Sequence, residues 1–156
     1  RFVAGFIGSP AMNFFAGRME GGAFAADGGA LRLPLSPPWT ERLRAYEGKP
    51  LTLGIRPEGL YAARGRPADR ALGTGTFTVE GLEPLGNEIF VHARAGAHGV
   101  TARMAPQPLP APGEALELAF DLGRLHFFDP ETERSLVLEP GQGAESGMAA
   151  GPATGE

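Results

Sequence analysis

The stretch TGTFTVEGLEPLGNEIFVHARAG, residues 74–96, predicts a β-hairpin and indicates the class of the fold. Apolar residues alternate with polar ones on both sides of its centre, so each strand has one face to bury. The alternating apolar residues are Phe77, Val79, Ile89 and Val91. Gly86 and Asn87 form a centre typical of tight hairpin turns, and we expect Asn87 to take the positive φ that such turns require.

Short apolar runs between glycines and prolines continue along most of the chain. They predict strands in residues 21–35 (a second hairpin), 50–58, 99–106 and 114–138. Asp27 starts the turn of the second hairpin, Pro57 ends the strand LTLGIR, and DPET at 129–132 is a turn. The proline-rich residues 105–114 predict an extended surface loop. Many short strands with frequent turns favour an all-β barrel or sandwich.

Helical patterns are few. Phe2, Val3, Phe6 and Ile7 form one apolar stripe, which predicts a short helix that ends before Pro10. SPPWTERLRAYEG, residues 36–48, predicts one more short helix, with Thr40 as its N-cap, Leu43 facing the core and Gly48 as its stop. From its pattern alone, MNFFAGRME at 12–20 fits either a helix or a strand.

Composition limits the function classes. The chain has 156 residues, a net charge of −4, a single lysine at Lys49 and no cysteine. This charge does not suit a nucleic-acid surface, and disulfides and thiolate metal sites are excluded. The chain begins at Arg1 within an apolar pattern, so we interpret it as a piece of a longer protein. Residues 139–156 contain almost nothing to bury, which predicts a disordered tail.

Motifs for chemistry are not recognisable in the sequence. A phosphate-binding loop of the GxxxxGK[ST] type is absent, and so is a nucleophile elbow. His92, His98 and His126 lack metal-ligand spacing, and His92 is expected on the surface of a strand. We therefore predict no catalytic residue, no bound cofactor and no metal in this chain. The arginine-rich residues 63–73 are interpreted as a solvated loop, and Arg56-Pro57-Glu58 as the end of a strand.

Four stretches together resemble one family. They are RFVAGFIGSPAMNFF (1–15), LGIRPEGL (53–60), VEGLEPLGNEIFVHARAG (79–96) and LHFFDPETERSL (125–136). Their order is similar to that in the C-terminal part of the ATP-binding subunits of sugar ABC importers, the maltose and glycerol-phosphate type. The resemblance implies an all-β, OB-like β-barrel (TOBE/MOP-like) with a short N-terminal helix and one short internal helix. It divides the chain into the end of a linker (1–12), the regulatory barrel (13–138) and the tail (139–156).

The resemblance also assigns individual residues of this chain to motifs of the family. The family's GSPxMN loop, an interdomain linker, is matched by Gly8, Ser9, Pro10, Met12 and Asn13. Because the family has a strand starting at the Met-Asn pair, a strand is favoured at 12–20. The signature LGIRPE is matched at Gly54, Arg56, Pro57 and Glu58. The chain departs from the family at Gly59, where His is usual, and at Glu133, where a glycine ends PETG. The second change leads us to expect a turn without positive φ.

The implied function is regulation and dimerisation. In the family, two such barrels contact each other and tether two ATPase subunits, while Mg-ATP belongs to the separate nucleotide-binding domain. The implied partners are a second copy of the chain, that nucleotide-binding domain, the membrane subunits of the importer and regulatory proteins. The implied location is cytoplasmic, at the inner face of the membrane. Gly86, Asn87 and Glu88 form the candidate partner-facing turn.

Two other function classes are weighed against this one. Related barrels bind oxyanions through a Ser-Ala-Arg-Asn type segment, which the sequence lacks. OB folds also bind nucleic acids, but the negative net charge argues against that partner.

Overall fold

The structure, a computed structural model, describes residues 12–29, 31–65 and 72–136. The elements in this part of the chain are β1 (Asn13–Glu20), β2 (Ala23–Ala26), β3 (Arg32–Pro34), α1 (Pro37–Arg42), β4 (Pro50–Ile55), β5 (Leu60–Ala62), β6 (Leu72–Leu85), β7 (Glu88–Ala95), β8 (His98–Met104), β9 (Ala115–Asp121) and β10 (His126–Phe128). Short 3-10 turns lie between several of them. The predicted helix at the N-terminus, the linker residues Gly8, Ser9 and Pro10, and the tail lie outside the described residues.

The strands form two antiparallel sheets that enclose one core. Their orders are β10-β4-β1-β2-β3 and β5-β9-β6-β7-β8. Fully buried side chains from both sheets fill the space between them, among them Phe15, Phe24, Phe77, Phe120 and Phe127. The prediction of an all-β, OB-like barrel is confirmed.

The hairpin predicted from residues 74–96 is confirmed as β6 and β7. Leu85 pairs with Glu88 across a two-residue loop, and a register shift between Val79 and Gly81 marks a bulge in β6. β9 pairs with β6 over residues 72–78, before the bulge. The part of β6 beyond the bulge therefore has β7 as its paired neighbour among the described strands.

Residues 13–20 form the strand β1, so the strand that the family resemblance favoured at 12–20 is present and begins one residue later. Phe15, Gly17 and Met19 of β1 are buried in alternation with exposed or half-buried residues. β1 lies between β2 and β4 in its sheet. A period of two in burial is incompatible with the helical alternative.

The internal helix exists, but its predicted cap is wrong. Ser36 is the N-cap, Pro37 and Pro38 open the first turn, and Thr40 lies inside the helix, where its hydroxyl donates to the Pro37 carbonyl at 3.0 Å. Two prolines suit a first turn, where backbone N–H groups have no intrahelical acceptor. Leu43 is buried as expected, and Gly48 has a φ of 76° after the 3-10 turn that follows α1.

The turn at 129–132 is confirmed, but the expectation for Glu133 is wrong. Glu133 keeps a positive φ of 62°, although it is not glycine. Its N–H donates to the Asp129 carbonyl at 2.6 Å, and the Asp129 carboxylate accepts the N–H groups of Glu131 and Thr132. Tyr46 donates its hydroxyl to the same carboxylate at 2.6 Å. This set of hydrogen bonds offsets the steric cost of a left-handed residue, about 1–2 kcal/mol.

The same bonds shift two pKa values. The Tyr46 hydroxyl, followed by the backbone N–H groups of Thr132 and Glu131, lowers the pKa of Asp129 because they stabilise the carboxylate. The hydrogen bond to Asp129 raises the pKa of Tyr46.

Candidate functional site

Asn13, the first residue of β1, joins the two sheets through its side chain. It is 8% exposed and pairs with Ile55 in the register of β1 and β4. Its Nδ2 donates to the Ile55 carbonyl at 3.1 Å and to the Thr101 carbonyl at 3.0 Å. Its Oδ1 accepts the Thr101 N–H at 2.9 Å. Since Thr101 belongs to β8 in the other sheet, a single amide fixes the start of β1 to both sheets.

Gly54 lies beside Asn13 and has no room for a side chain. A Cβ on Gly54 would lie 2.5 Å from Met12 Sδ and 2.9 Å from Phe128 Cε1. The glycine thus lets Met12 and Phe128 pack over β4. Met12, Asn13, Gly54, Ile55 and Thr101 are called the β1 junction below.

The β1 junction brings together two motifs that lie apart in the sequence. Met12 and Asn13 come from the linker motif, and Gly54 comes from the signature LGIRPE. Asn13 pairs with Ile55, 42 positions later in the sequence, and this register makes the two motifs neighbours. Thr101 was missed, since its contribution is a backbone N–H and carbonyl, which no residue pattern reveals.

Arg56, Pro57 and Glu58 follow directly after β4. Arg56 precedes a 3-10 turn over Pro57–Gly59, and the Gly59 N–H donates to the Arg56 carbonyl at 2.9 Å. Pro57 is buried, whereas Arg56 is exposed. β4 ends at Ile55, so the interpretation of this motif as a strand end agrees with the structure.

His126 lies opposite Gly54 in the pairing of β10 with β4. Burial lowers the pKa of His126, and the positive charge of Arg56 lowers it further. Both effects disfavour the charged imidazolium. The half-buried ring is therefore held in its neutral form more strongly than a histidine in water.

The candidate partner-facing turn lies at the exposed end of the β6–β7 hairpin. Leu85, Gly86, Asn87 and Glu88, called the hairpin tip below, close β6 and β7. Leu85 is 47% exposed and is the single large apolar side chain that is exposed in the described part of the chain. Glu88 pairs with Arg103 of β8 at 2.8 Å.

The backbone of the hairpin tip differs from the expectation in one respect. The positive φ, 66°, belongs to Gly86, and Asn87 does not have one. A positive φ at the first central residue is the arrangement that favours glycine in type II′ hairpins. The tight turn itself is confirmed.

The outer surface of β6, β7 and β8 carries a polar cluster that the sequence did not reveal. His92 Nδ1 lies 3.2 Å from Thr101 Oγ1, and His92 Nε2 lies 3.2 Å from Glu83 Oε1. His92 lies on the surface of its strand, as the sequence predicts, with its side chain 42% exposed. The cluster depends on the register that places His92 opposite Gly81 and Thr101, which follows from the bulge in β6.

Across the described residues, no group of three or more His, Asp or Glu side chains could hold a metal ion. His98 contacts the Asp27 carbonyl through Nε2 at 3.0 Å, so the histidines lie in separate environments. Within the same part of the chain, none of the helices has the length and apolar character that crossing a bilayer requires.

Two family models match the chain in consecutive, overlapping segments. A MalK OB fold domain matches residues 8–60, and a TOBE domain matches residues 53–128. The overlap contains the signature LGIRPE, whose Pro57 and Glu58 begin the 3-10 turn Pro57–Gly59. The β1 junction therefore contains residues from both models.

Two curated relatives that are similar to this chain are ATP-binding proteins of transport systems. The sulfoquinovosyl glycerol transport ATP-binding protein SmoE of Agrobacterium fabrum is 40% identical over 136 residues, covering 86% of this chain and 36% of the relative. The sn-glycerol-3-phosphate import ATP-binding protein UgpC of Paraburkholderia xenovorans is 41% identical over 135 residues, covering 85% of this chain and 36% of the relative. The chain thus spans about a third of the length of these relatives.

Among solved structures, the cytoplasmic molybdate-binding protein ModG is similar in fold. The TM-score is 0.56 over 74% of this chain and 94% of that one, with 14% sequence identity. At this identity the likeness concerns the fold alone.

Proposed function

Because this chain belongs to the MalK OB-fold and TOBE domain family, which forms the C-terminal regulatory part of sugar and glycerol-phosphate importer ATP-binding subunits, we propose that it tethers two such subunits. The observation that carries this proposal is the 40–41% identity to importer ATP-binding proteins over 85–86% of the chain. The regulatory barrel corresponds to residues 13–138, with 1–12 as the end of the linker and 139–156 as a tail. Its location is the cytoplasmic face of the membrane, beside the membrane subunits.

A tether needs a rigid body. The β1 junction supplies rigidity at the start of β1, because Asn13 binds backbone atoms of β4 and β8 at the same time. Two rigid barrels in contact would keep two nucleotide-binding domains at a high effective concentration while those domains open and close around Mg-ATP. The chemistry of ATP belongs to those domains, and no residue of this chain is assigned to it.

The contact between two copies is proposed at the hairpin tip. Leu85 offers exposed apolar area there, and the ion pair of Glu88 with Arg103 borders it. Side-chain packing is favoured over pairing of strand edges, because Pro84 has no backbone N–H to offer on the outer part of β6. Regulatory proteins could use the same exposed surface when it is not occupied by a second copy.

Sedimentation equilibrium over a wide concentration range tests self-association. We expect a weak monomer–dimer equilibrium for the chain and a clear loss of dimer for Leu85→Ser. Ala97→Ser, at the exposed turn between β7 and β8 on the opposite end of β7, serves as the matched control and should leave the equilibrium unchanged. An ideal monomer at millimolar concentration would contradict the tether and leave the family membership intact.

A further inference from the structure

A line of side-chain contacts leads from the start of β1 over β8 and β7 to the outer part of β6. Asn13 binds the backbone of Thr101 through its amide, with atoms 2.9 and 3.0 Å apart. The Thr101 hydroxyl contacts His92 Nδ1 at 3.2 Å. His92 Nε2 contacts Glu83 Oε1 at 3.2 Å. The line thus connects β1, β8, β7 and β6 through four residues.

The groups along this line are chemically complementary. A carboxylate oxygen only accepts hydrogen bonds, so His92 Nε2 carries the hydrogen of its contact with Glu83. A hydroxyl both donates and accepts, so Thr101 Oγ1 suits the facing His92 Nδ1 in either role. At the other end, Asn13 uses both amide hydrogens and its oxygen.

Solvent exposure rises along the line. Asn13 is 8% exposed, whereas the side chains of His92 and Glu83 are 42% and 57% exposed. Exposed hydrogen bonds and ion pairs contribute little by themselves, because water competes for both partners. The Thr101 contacts are thus the stronger part of the line, and the contact with Glu83 is the weaker part.

We infer that Thr101 and His92 are positioning residues that couple the β1 junction to the outer part of the β6–β7 hairpin. Glu83 lies two residues before Leu85, so the coupling ends beside the hairpin tip. A strain applied at Asn13 would change the hydrogen bonds of Thr101 and, through its hydroxyl, the placement of His92. The inference concerns the single chain and holds whether or not two copies associate.

A neighbouring ion pair provides an internal control. Arg103 is two residues from Thr101 on β8 and pairs with Glu88 at 2.8 Å on the same outer surface. Its hydrogen bonds do not include Asn13 or His92. Removal of Arg103 perturbs the same strands without interrupting the line.

A double-mutant cycle on the monomeric chain tests the coupling, with the unfolding equilibrium constant as the readout. For Asn13→Ala combined with His92→Ala, we expect the joint effect to differ from the product of the single effects by at least about threefold. For Asn13→Ala combined with Arg103→Ala, the deviation should stay below about threefold. A deviation below this limit in the first cycle, or an equal deviation in both, would overturn the inference.

Hydrogen exchange provides a second test in case Asn13→Ala does not fold. Thr101→Val removes the hydroxyl and keeps the backbone groups that Asn13 binds, while Thr101→Ser keeps the hydroxyl. Amides of residues 82–92 should exchange at least about threefold faster in Thr101→Val than in Thr101→Ser. Equal exchange in the two variants would refute the coupling, and both measurements are made at concentrations where the chain is monomeric, so they are independent of the proposed tether.

Discussion

The β1 junction and the hairpin tip contain the same two residue types in opposite roles. Asn13 is buried and uses its whole amide in hydrogen bonds, whereas Asn87 is exposed in a turn. Gly54 is required because a Cβ would collide with Met12 and Phe128. Gly86 has nothing within 4 Å of an added Cβ, but it has a positive φ. The β1 junction needs a glycine because no side chain fits and an asparagine for its hydrogen bonds, whereas the hairpin tip needs its glycine for the backbone conformation.

The two regions therefore differ in rigidity and in how accessible they are to a partner. The β1 junction satisfies its polar groups inside the protein, so it has little left to offer a partner. The hairpin tip leaves Leu85 and the turn backbone in solvent, where a partner could reach them. Substitutions at the junction should therefore reduce the stability of the fold, and those at the tip should change association more than stability.

The largest expected effect is that of Asn13→Ala. It removes the amide that binds the buried Ile55 carbonyl and the partly buried N–H and carbonyl of Thr101, which should reduce the free energy of unfolding by about 2–4 kcal/mol. Asn87→Ala, the matched change at the tip, should stay within about 0.5 kcal/mol. Urea denaturation of both variants measures the difference. Equal losses in the two variants would contradict the contrast between the regions.

Gly54→Ala should have the next largest effect. The added methyl group overlaps Met12 Sδ and the Phe128 ring, and such overpacking costs about 1–3 kcal/mol. Gly81→Ala is the control, because an added Cβ there meets nothing within 4 Å. In a Met12→Ala background the cost of Gly54→Ala should fall. A cost that does not depend on Met12 would show that the sulfur contact is not the reason for glycine.

Gly86→Val should come third, at about 1–2 kcal/mol, because a β-branched residue tolerates positive φ poorly. Gly86→Asn should cost less, since asparagine adopts this conformation more readily. Asn87→Val should cost no more than about 0.5 kcal/mol, as its φ is not positive. Thermal melts of the three variants test this order. A larger loss in Asn87→Val than in Gly86→Val would reverse the assignment of the strained residue.

Local patterns in the sequence predicted the strands well, since alternation with a period of two reports directly which face is buried. The hairpin of β6 and β7 is an example, whereas in β4 Thr52 and Gly54 are buried as well as the alternating Leu51, Leu53 and Ile55. The predicted N-cap of α1 is wrong because Ser36 and Thr40 are both residue types that favour this position, and Pro37 and Pro38 place the first turn directly after Ser36, whose side chain makes no capping hydrogen bond. Glu133 was misjudged because the hydrogen bonds that hold its φ come from Asp129 and from the distant Tyr46.

Less of the candidate site than of the fold could be predicted from the sequence. Asn13 and Thr101 are 88 positions apart, and the Asn13 side-chain amide binds the backbone of Thr101, whose N–H and carbonyl carry no signature in the residue type. The contact of His92 with Glu83 depends on a bulge that shifts the register by one residue. The family resemblance marked Asn13 and Gly54 as notable positions, and the pairing of β1 with β4 supplies the physical reason.

The smallest expected effect is a pH dependence from His126, which lies opposite Gly54 of the β1 junction. Since burial and then Arg56 lower the pKa of His126 in the folded state, the unfolded chain binds the proton more readily. The contribution of His126 to stability is thus fully present above its ordinary pKa of about 6.5 and is lost as the pH falls through that value toward the lowered one. Asp129, whose pKa is also lowered, loses its contribution in a separate, more acidic range.

Two variants isolate the contribution of His126. His126→Gln should flatten the fall in stability just below pH 6.5, and Arg56→Gln should reduce it by removing the nearby positive charge. A nuclear magnetic resonance titration should find the His126 ring titrating below the ordinary histidine range in the wild-type chain and closer to it in Arg56→Gln. If His126 titrates at or above the ordinary value, its ring is better solvated than the pairing of β10 with β4 implies, and the junction is less closed than its contacts indicate.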